Sequence, residues 1–474
     1  MIVDGSGNGD FSTIQSCVNN ATTGDSCLIK AGRYHEEVEI KNKNDVTIMG
    51  YGNERPVIDG TIILTNSQNG GKWKMNTKTG VCSGKIKNDV FQLFLDNDMM
   101  TNARWPNALW SDKTSFSNKY WAHSAMSSTR GKMVDDGHAD GGLGLAGTGL
   151  DLTGAMAVLN VGSFNTFVKP VEDHNANQNW FKYDDDFGDI NFQQDHNQYY
   201  LDSHLALLDN PGEWHYDMDT KMLRFIPPTG KCPTASDAVR GRTIDYAMEI
   251  TKSKGIKLAN MDFFASNVMA EGTTKRTDEV ADITLDSLNF DFPSSSRRML
   301  KEFAVPKHTR LIAKGFGYVN VVNCKFFGAE GSALEYWGSP AKIHNNAFEW
   351  CDWSGQMGLV ANGGYGTVWG SPTGKNEEFI GNTLWYNGAS AGYRSGKTPT
   401  VSDNMVVGQA DGLLMNDGSG IQIQVNNIVK LVKQNIVKLI EHIVVHPNLN
   451  QLMFLVDKVP NRCDCRKKLG LRFT

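Results

Sequence analysis

The chain has 474 residues, a formal net charge of −5, 48 glycines and 10% aromatic residues. That balance leaves no basic footprint for nucleic acid, and no apolar run reaches the length a bilayer-spanning helix needs. The length suits two ordinary domains or one solenoid carrying an insertion, and the composition is that of a turn-rich β protein.

Residues 1–64 read as a helix followed by short strands. Ser12 is placed to cap the helix, with Gln15 in the reciprocal capping-box position. Ile14, Val18 and Ala21 then share one apolar face, suited to covering the first coil of a solenoid. Cys17 and Cys27 sit where this helix would fold back onto a strand, and Cys82 and Cys232 flank a long central region. Both placements suit disulfides of a secreted protein, with small buried thiols as the alternative. The start, Met1-Ile2-Val3-Asp4-Gly5, has neither the basic nor the apolar stretch of a signal peptide, so a secreted chain would be a mature or partial form. Asn20-Ala21-Thr22 is a weak glycosylation sequon.

The opening DGSGNGDFSTIQSCVNNA, followed by a strand and AGRYHEEVEI, resembles that of pectin-lyase-like β-helix proteins. That superfamily includes pectinesterases and many polysaccharide-degrading enzymes. The resemblance implies a parallel β-helix with an N-terminal helical cap.

Residues 65–245 break the strand pattern and are rich in Trp, Tyr, Asp and His. EWHYD and MLRFIP alternate about an Asp-rich turn and read as a β-hairpin. FQLFLDNDMMTNARWPNALW and HLALLDNPGEWHYDMDTKMLRFIPPTGKC resemble segments of large bacterial β-helix glycoside hydrolases with a β-rich domain inserted early in the helix. That likeness covers roughly residues 1–424. Arg104, Trp105 and Trp110 could stack on sugar rings, but the simpler expectation is that these aromatics hold the insertion against the helix. Asp184, Asp185, Asp186 and Asp189 could offer oxygen to Ca²⁺. They lack EF-hand spacing, so a solvated turn is preferred and no cofactor is expected.

From Tyr246 the strand pattern resumes. Between Val319 and Gln424 one phrase recurs: a short β-branched run, one or two Asn, then an apolar pair. Asn323, Asn346, Asn382 and Asn404 follow one another at gaps of 23, 36 and 22 residues, with Asn260 and Asn289 extending the series upstream. A three- to five-residue strand buries one face only and needs stacked neighbours. Asn at equivalent corners can bond its neighbour and tolerates left-handed geometry. The expected fold is therefore all-β: a right-handed parallel β-helix solenoid with an N-terminal capping helix and an inserted β-rich domain. An antiparallel sandwich is the alternative. The basic loop SSSRRMLKEFAVPKHTR either faces an acidic polysaccharide or is simply solvated. Residues 425–474 are Lys-rich, and Ile428, Leu431, Val432, Leu439, Ile440 and Ile443 recur at helical period. This tail reads as a helical cap or as a splicing or reading-frame artefact in place of further coils.

Glycoside hydrolysis needs two carboxylates across the scissile bond. The candidates are Glu335, Asp352, Asp411 and Asp417, with Trp353, Tyr393, Arg394 and Lys397 as substrate-binding residues. Asp352 and Asp411 follow Asn346 and Asn404 by six and seven residues, which could bring them to one side of the coils. β-Elimination by a lyase is the rival chemistry, served by Tyr393, Arg394 and Lys397 beside a cation such as Ca²⁺. The Asp pattern of pectate lyases, the Lys and Arg motif of alginate lyases and the polygalacturonase motif set are absent. A non-catalytic glycan-binding scaffold is the third class. The expected partner is a polysaccharide or oligosaccharide, met extracellularly by a monomer, with neither nucleic acid nor a membrane span involved.

Overall fold

The computed structural model describes residues 1–407 apart from 66–69, 71, 163–165, 189–191, 193–197, 235–236, 273–279, 304–305, 314–316, 339, 355–365, 371–375, 389–390 and 396–398. Beyond 407 it describes 414–416, 422–423, 428–430 and 453–454.

Three parallel sheets of ten, ten and eight strands wrap one apolar core. Each coil supplies a strand to the first sheet, then the second, then the third. One coil runs Ile283–Asp286, Asn289–Asp291 and Thr309–Ile312; the next runs Val319–Val322, Lys325–Phe327 and Leu334–Trp337. The strands are short because one face only is apolar. In Val38–Lys41, Val38 and Ile40 are buried while Glu39 and Lys41 are exposed. The all-β solenoid expected from the repeat is the fold observed. Inside it, Phe263, Phe290, Phe326 and Phe348 stack at centroid spacings of 4.8, 4.7 and 5.0 Å, matching the strand spacing of about 4.8 Å.

The asparagine ladder sits one residue away from part of the expected series. Asn323 and Asn260 occupy the left-handed corner between first and second sheets, at φ 56° and 53°. The ladder itself runs through the following, inward position. Asn346 accepts from Cys324 N, Asn382 accepts from Asn346 N, and Asn404 accepts from Asn382 N, at 2.8 to 2.9 Å. The spacings are 22, 36 and 22 residues. Asn289 is in a strand of the second sheet and donates to Asp262.

The helix Ile14–Asn20 closes the N-terminal end with Ile14, Cys17 and Val18 buried. Its cap is Thr13, whose hydroxyl accepts from Ser16 N. Ser12 is not the cap, and Gln15 does not close a capping box. The Glu36 carboxylate accepts from Ile14 N and Gln15 N, and the Gln15 side chain bonds the Glu39 backbone. Cys17 is bonded to Cys27 and Cys82 to Cys232. In the tail, Ile428–Lys430 and Met453–Phe454 are strands added to the second sheet. The helical period beginning at Ile428 is thus not realised at 428–430, because these residues meet a free sheet edge.

The second sheet's strand Val57–Asp59 is followed in the stack by the third-sheet strand Tyr246–Thr251. The intervening residues build their own sheets. Thr61–Ile63 pairs with Val239–Arg242, and Glu213–Asp217 forms the expected hairpin with Met222–Phe225. Trp105 lies in this region's own core. Trp110, 4% exposed, packs against Phe292, Phe327 and Trp353 of the solenoid. Asp184 lies 3.1 Å from Lys169 Nζ, and Asp189 lies outside the described residues.

Asn382→Ala leaves buried amides unsatisfied on two coils and should cost about 2–4 kcal/mol. Asn323→Gly, at a corner that suits glycine, should change stability by less than about 1 kcal/mol. Guanidinium unfolding midpoints of both variants check the pair. In the hairpin, burial, then Arg224 and His204, push the His215 imidazole down to about 4. The unfolded chain binds that proton near its ordinary value of about 6.5, so stability falls as pH drops from about 6.5 to about 4. His215→Phe should flatten that slope when midpoints are compared across the window.

Candidate functional site

Glu335 stands on the strand Leu334–Trp337 of the third sheet. Leu334 and Tyr336 on either side belong to the interior core. Strand alternation therefore turns Glu335 to the outer face of the sheet, yet it is only 2% exposed. Parallel register puts it directly beside Arg310 of the previous coil. Its Oε2 lies 2.9 Å from both Arg310 Nε and His308 Nε2. Arg310 Nη1 in turn lies 3.0 Å from Glu271 Oε2, a coil further back. One guanidinium thus joins two carboxylates across three neighbouring strands.

Next to this group a second network converges on Asp245. Its Oδ2 lies 2.9 Å from Arg297 Nη2 and 3.1 Å from Lys307 Nζ. Arg297 also pairs with Glu302. Tyr246, beside Lys307, has its phenol raised above the usual range by burial and then by Asp245. Further along the same face, Glu249 is in register with Glu39. Burial, then the charge of Glu37, raises the Glu249 carboxyl, with Lys307 opposing and Glu39 adding to the shift.

A third charge cluster locks the inserted region to the corner between second and third sheets. Arg298, 2% exposed, places Nε 2.8 Å from Asp202 and Nη1 2.6 Å from Glu330. Burial lowers the Arg298 guanidinium, but Asp202, Tyr200 and Glu330 outweigh it and hold the group above its usual range. Glu330 also accepts from Ser296 N, Tyr200 donates to Ser354 O, and Arg242 donates to Phe292 O and Pro293 O.

Among the described residues expected to form a site, Glu335 and Tyr393 stand apart from each other and from the chain neighbours Asp352 and Trp353. Asp352, 2% exposed, occupies a left-handed corner at φ 60°. Its N–H donates to Ala329 O and Gly331 O. It belongs to the corner that follows the second sheet, next to Glu330, and not to the outer face that carries Glu335. Trp353 joins the aromatic wedge around Trp110. Tyr393 is interior: it is 2% exposed, stacked on Phe379 at 4.0 Å, and its hydroxyl lies 2.9 Å from that of Tyr336. That placement turns it away from any ligand on the outer face. Arg394 is on a strand of the third sheet in register with Trp369, but its side chain lies outside the described residues, as do Lys397, Asp411 and Asp417. Glu271, His308 and Arg310 were not singled out from the sequence. The available signal was the alternation of His308 and Arg310 in KHTRLI, which puts basic groups on one face of a strand.

No protein-family model matches the chain, and no curated protein matches it. Among solved structures, one described as a glycoside hydrolase superposes with a TM-score of 0.54 at 12% identity, over 90% of this chain and 94% of that one. That likeness is one of fold. A complex of XylC with xylose (TM-score 0.29, 10% identity, 91% of this chain and 64% of that one) lies well below it. So does the tailspike gp61 of Pseudomonas phage phi297 (0.14, 9%, 88% and 70%). Neither carries an argument about this chain.

Arg298→Ala would leave Asp202 and Glu330 buried without their cation, at an expected cost of about 3–5 kcal/mol. The loss should fall on the attachment of the inserted region. Limited proteolysis should cut residues 60–245 faster in the variant while the solenoid coils stay protected. Unchanged cutting would show that the aromatic wedge alone holds the two parts together.

Proposed function

We propose that this chain is a glycoside hydrolase acting on a polysaccharide along the outer face of its third sheet, with Glu335 and Glu271 as the carboxylate pair. The observation that carries the reading is Glu335 itself: outward-facing on its strand, almost fully buried, and flanked by His308 and Arg310 at 2.9 Å each. A buried carboxylate on an outer sheet face costs stability unless its partners are fixed.

The chemistry needs two carboxylates on opposite sides of a glycosidic bond. Both Glu335 and Glu271 touch the guanidinium of Arg310, so their nearest oxygens are no more than about 8 Å apart, within the span such pairs occupy. The basic neighbours of Glu335 complement a negative charge on it, as a nucleophile or base requires. Glu271, 31% exposed at its side chain, is the group open to a leaving-group oxygen. Asp411 and Asp417 are the alternative second carboxylate. The fold shared with a glycoside hydrolase supports the reading at the level of architecture, and fold alone does not fix a reaction. The two disulfides support an oxidising, extracellular setting.

The test is a glycan panel assayed for new reducing ends and, in parallel, for the ultraviolet absorbance of unsaturated products. Glu335→Gln should lower turnover by about 10²–10⁴-fold while leaving the melting transition in place. Glu271→Gln, Asp411→Asn and Asp417→Asn in the same assay identify the partner. Wild-type turnover in Glu335→Gln would sink the assignment. Unsaturated products would replace hydrolysis by elimination. A glycan that binds and yields neither product would make the chain a non-catalytic binder.

A further inference from the structure

We infer that the glycan taken on this face is uncharged, a neutral pyranose polymer and not a polyuronate. The inference rests on the placement of the site on the third sheet's outer face, and it names the substrate class that face admits.

A polyuronate needs cations free to meet its carboxylates, best as forked arginine contacts. The loop and strand at 297–310 supply many basic groups: Arg297, Arg298, Lys307, His308 and Arg310. Each already has a carboxylate of this chain within 3.2 Å. Arg297 and Lys307 share Asp245. Arg298 is sealed between Asp202 and Glu330. His308 and Arg310 share Glu335, and Arg310 also holds Glu271. Among the described residues of this loop only Lys301 makes no ion pair, and it lies at the end of the short helical turn Arg298–Leu300. The basic appearance of this stretch in the sequence is therefore cancelled in the fold.

Among the other described residues of the face, carboxylates outnumber cations, Lys41 being paired with Glu39. Glu39 and Glu249 lie in register on adjacent coils, with Glu37 beside them. A polyanion would have to break fixed ion pairs and then lie along like charge, both of which disfavour it. A neutral sugar makes no such demand. Its hydroxyls can donate to the fixed carboxylates and accept from the guanidinium without displacing either partner.

The experiment compares binding of the wild-type chain to a soluble neutral polymer (xylan or mixed-linkage glucan), to polygalacturonate and to polyglucosamine, each at low and high salt. The neutral polymer should bind with little salt dependence, and polygalacturonate should bind at least about tenfold more weakly. Asp245→Asn frees Lys307 and leaves Arg297 only its exposed Glu302 partner, without touching Glu335 or Glu271. It should gain about tenfold in polygalacturonate binding at low salt and lose that gain at high salt. Wild-type preference for polygalacturonate or polyglucosamine overturns the inference, and so does a folded Asp245→Asn that gains nothing. Should that variant fail to fold, the wild-type preference still decides. Neutral-polymer binding without new reducing ends would remove the hydrolase reading and leave this one standing. Hydrolysis of a polyuronate would do the reverse.

Discussion

Asn382 accepts from the backbone and side-chain amides of Asn346 and donates to Ile343 O, so a single side chain ties one corner of a coil to the corner before it. Asn404 repeats the arrangement one coil on. These bonds fix where each coil starts relative to its neighbour, and the phenylalanine stack inside answers with rings at strand spacing. A slip by one residue would put every buried side chain on the wrong face. The outer faces inherit this precision. Arg310 lies beside Glu335 because the coils are in register, although the two residues are 25 positions apart in the chain.

That register lets a solenoid assemble a charged site from irregularly spaced positions. The three networks around Asp245, Glu335 and Arg298 occupy neighbouring coils but differ in exposure. The Asp202–Arg298–Glu330 group is dry and joins two parts of the chain, whereas Arg310 and Glu271 keep about a third of their side-chain surface open. A dry, fully matched ion cluster serves geometry, since the cost of burial cancels most of its attraction. A partly open one, on a face that can admit a ligand, remains available for chemistry. Electrostatics and exposure together separate the fastener from the group proposed as the site, where residue type alone does not.

Much of the architecture was legible in the sequence because it depends on local pattern. Short alternating runs, the recurring Asn and the amphipathic first helix follow from side-chain period. So does the EWHYD hairpin. Small errors of position arose where two residues compete for one corner. Asn323 and Asn346 look equivalent in the phrase, yet one takes the left-handed turn and the other points inward to the ladder. Thr13 displaced Ser12 as the cap because Thr13 is the last extended residue before the helix. The proposed site was legible only in part. Glu335 was visible as a carboxylate in a strand. Its partners depend on which residues of other coils fall into register, and loops of unequal length hide that register. Tyr393 and Asp352 were drawn into the expected site by polarity. Strand parity put the first inside the core, and the second lies at a left-handed corner away from Glu335.

The inserted region carries a consequence for how the chain acquires its fold. Lys43 and Ser253, bonded between the first two coils, are 210 residues apart in sequence. The third-sheet strand Val38–Lys41 thus waits for about two hundred residues before its partner Tyr246–Thr251 is made, whereas the strands before it pair at once with Thr47–Gly50 and Val57–Asp59. Closing so long a loop costs little extra free energy, because that cost grows only logarithmically, but distant contacts form slowly. The later coils can therefore stack as soon as they emerge, and the N-terminal strands up to Asp59 join them only once the strands from Tyr246 onward are made.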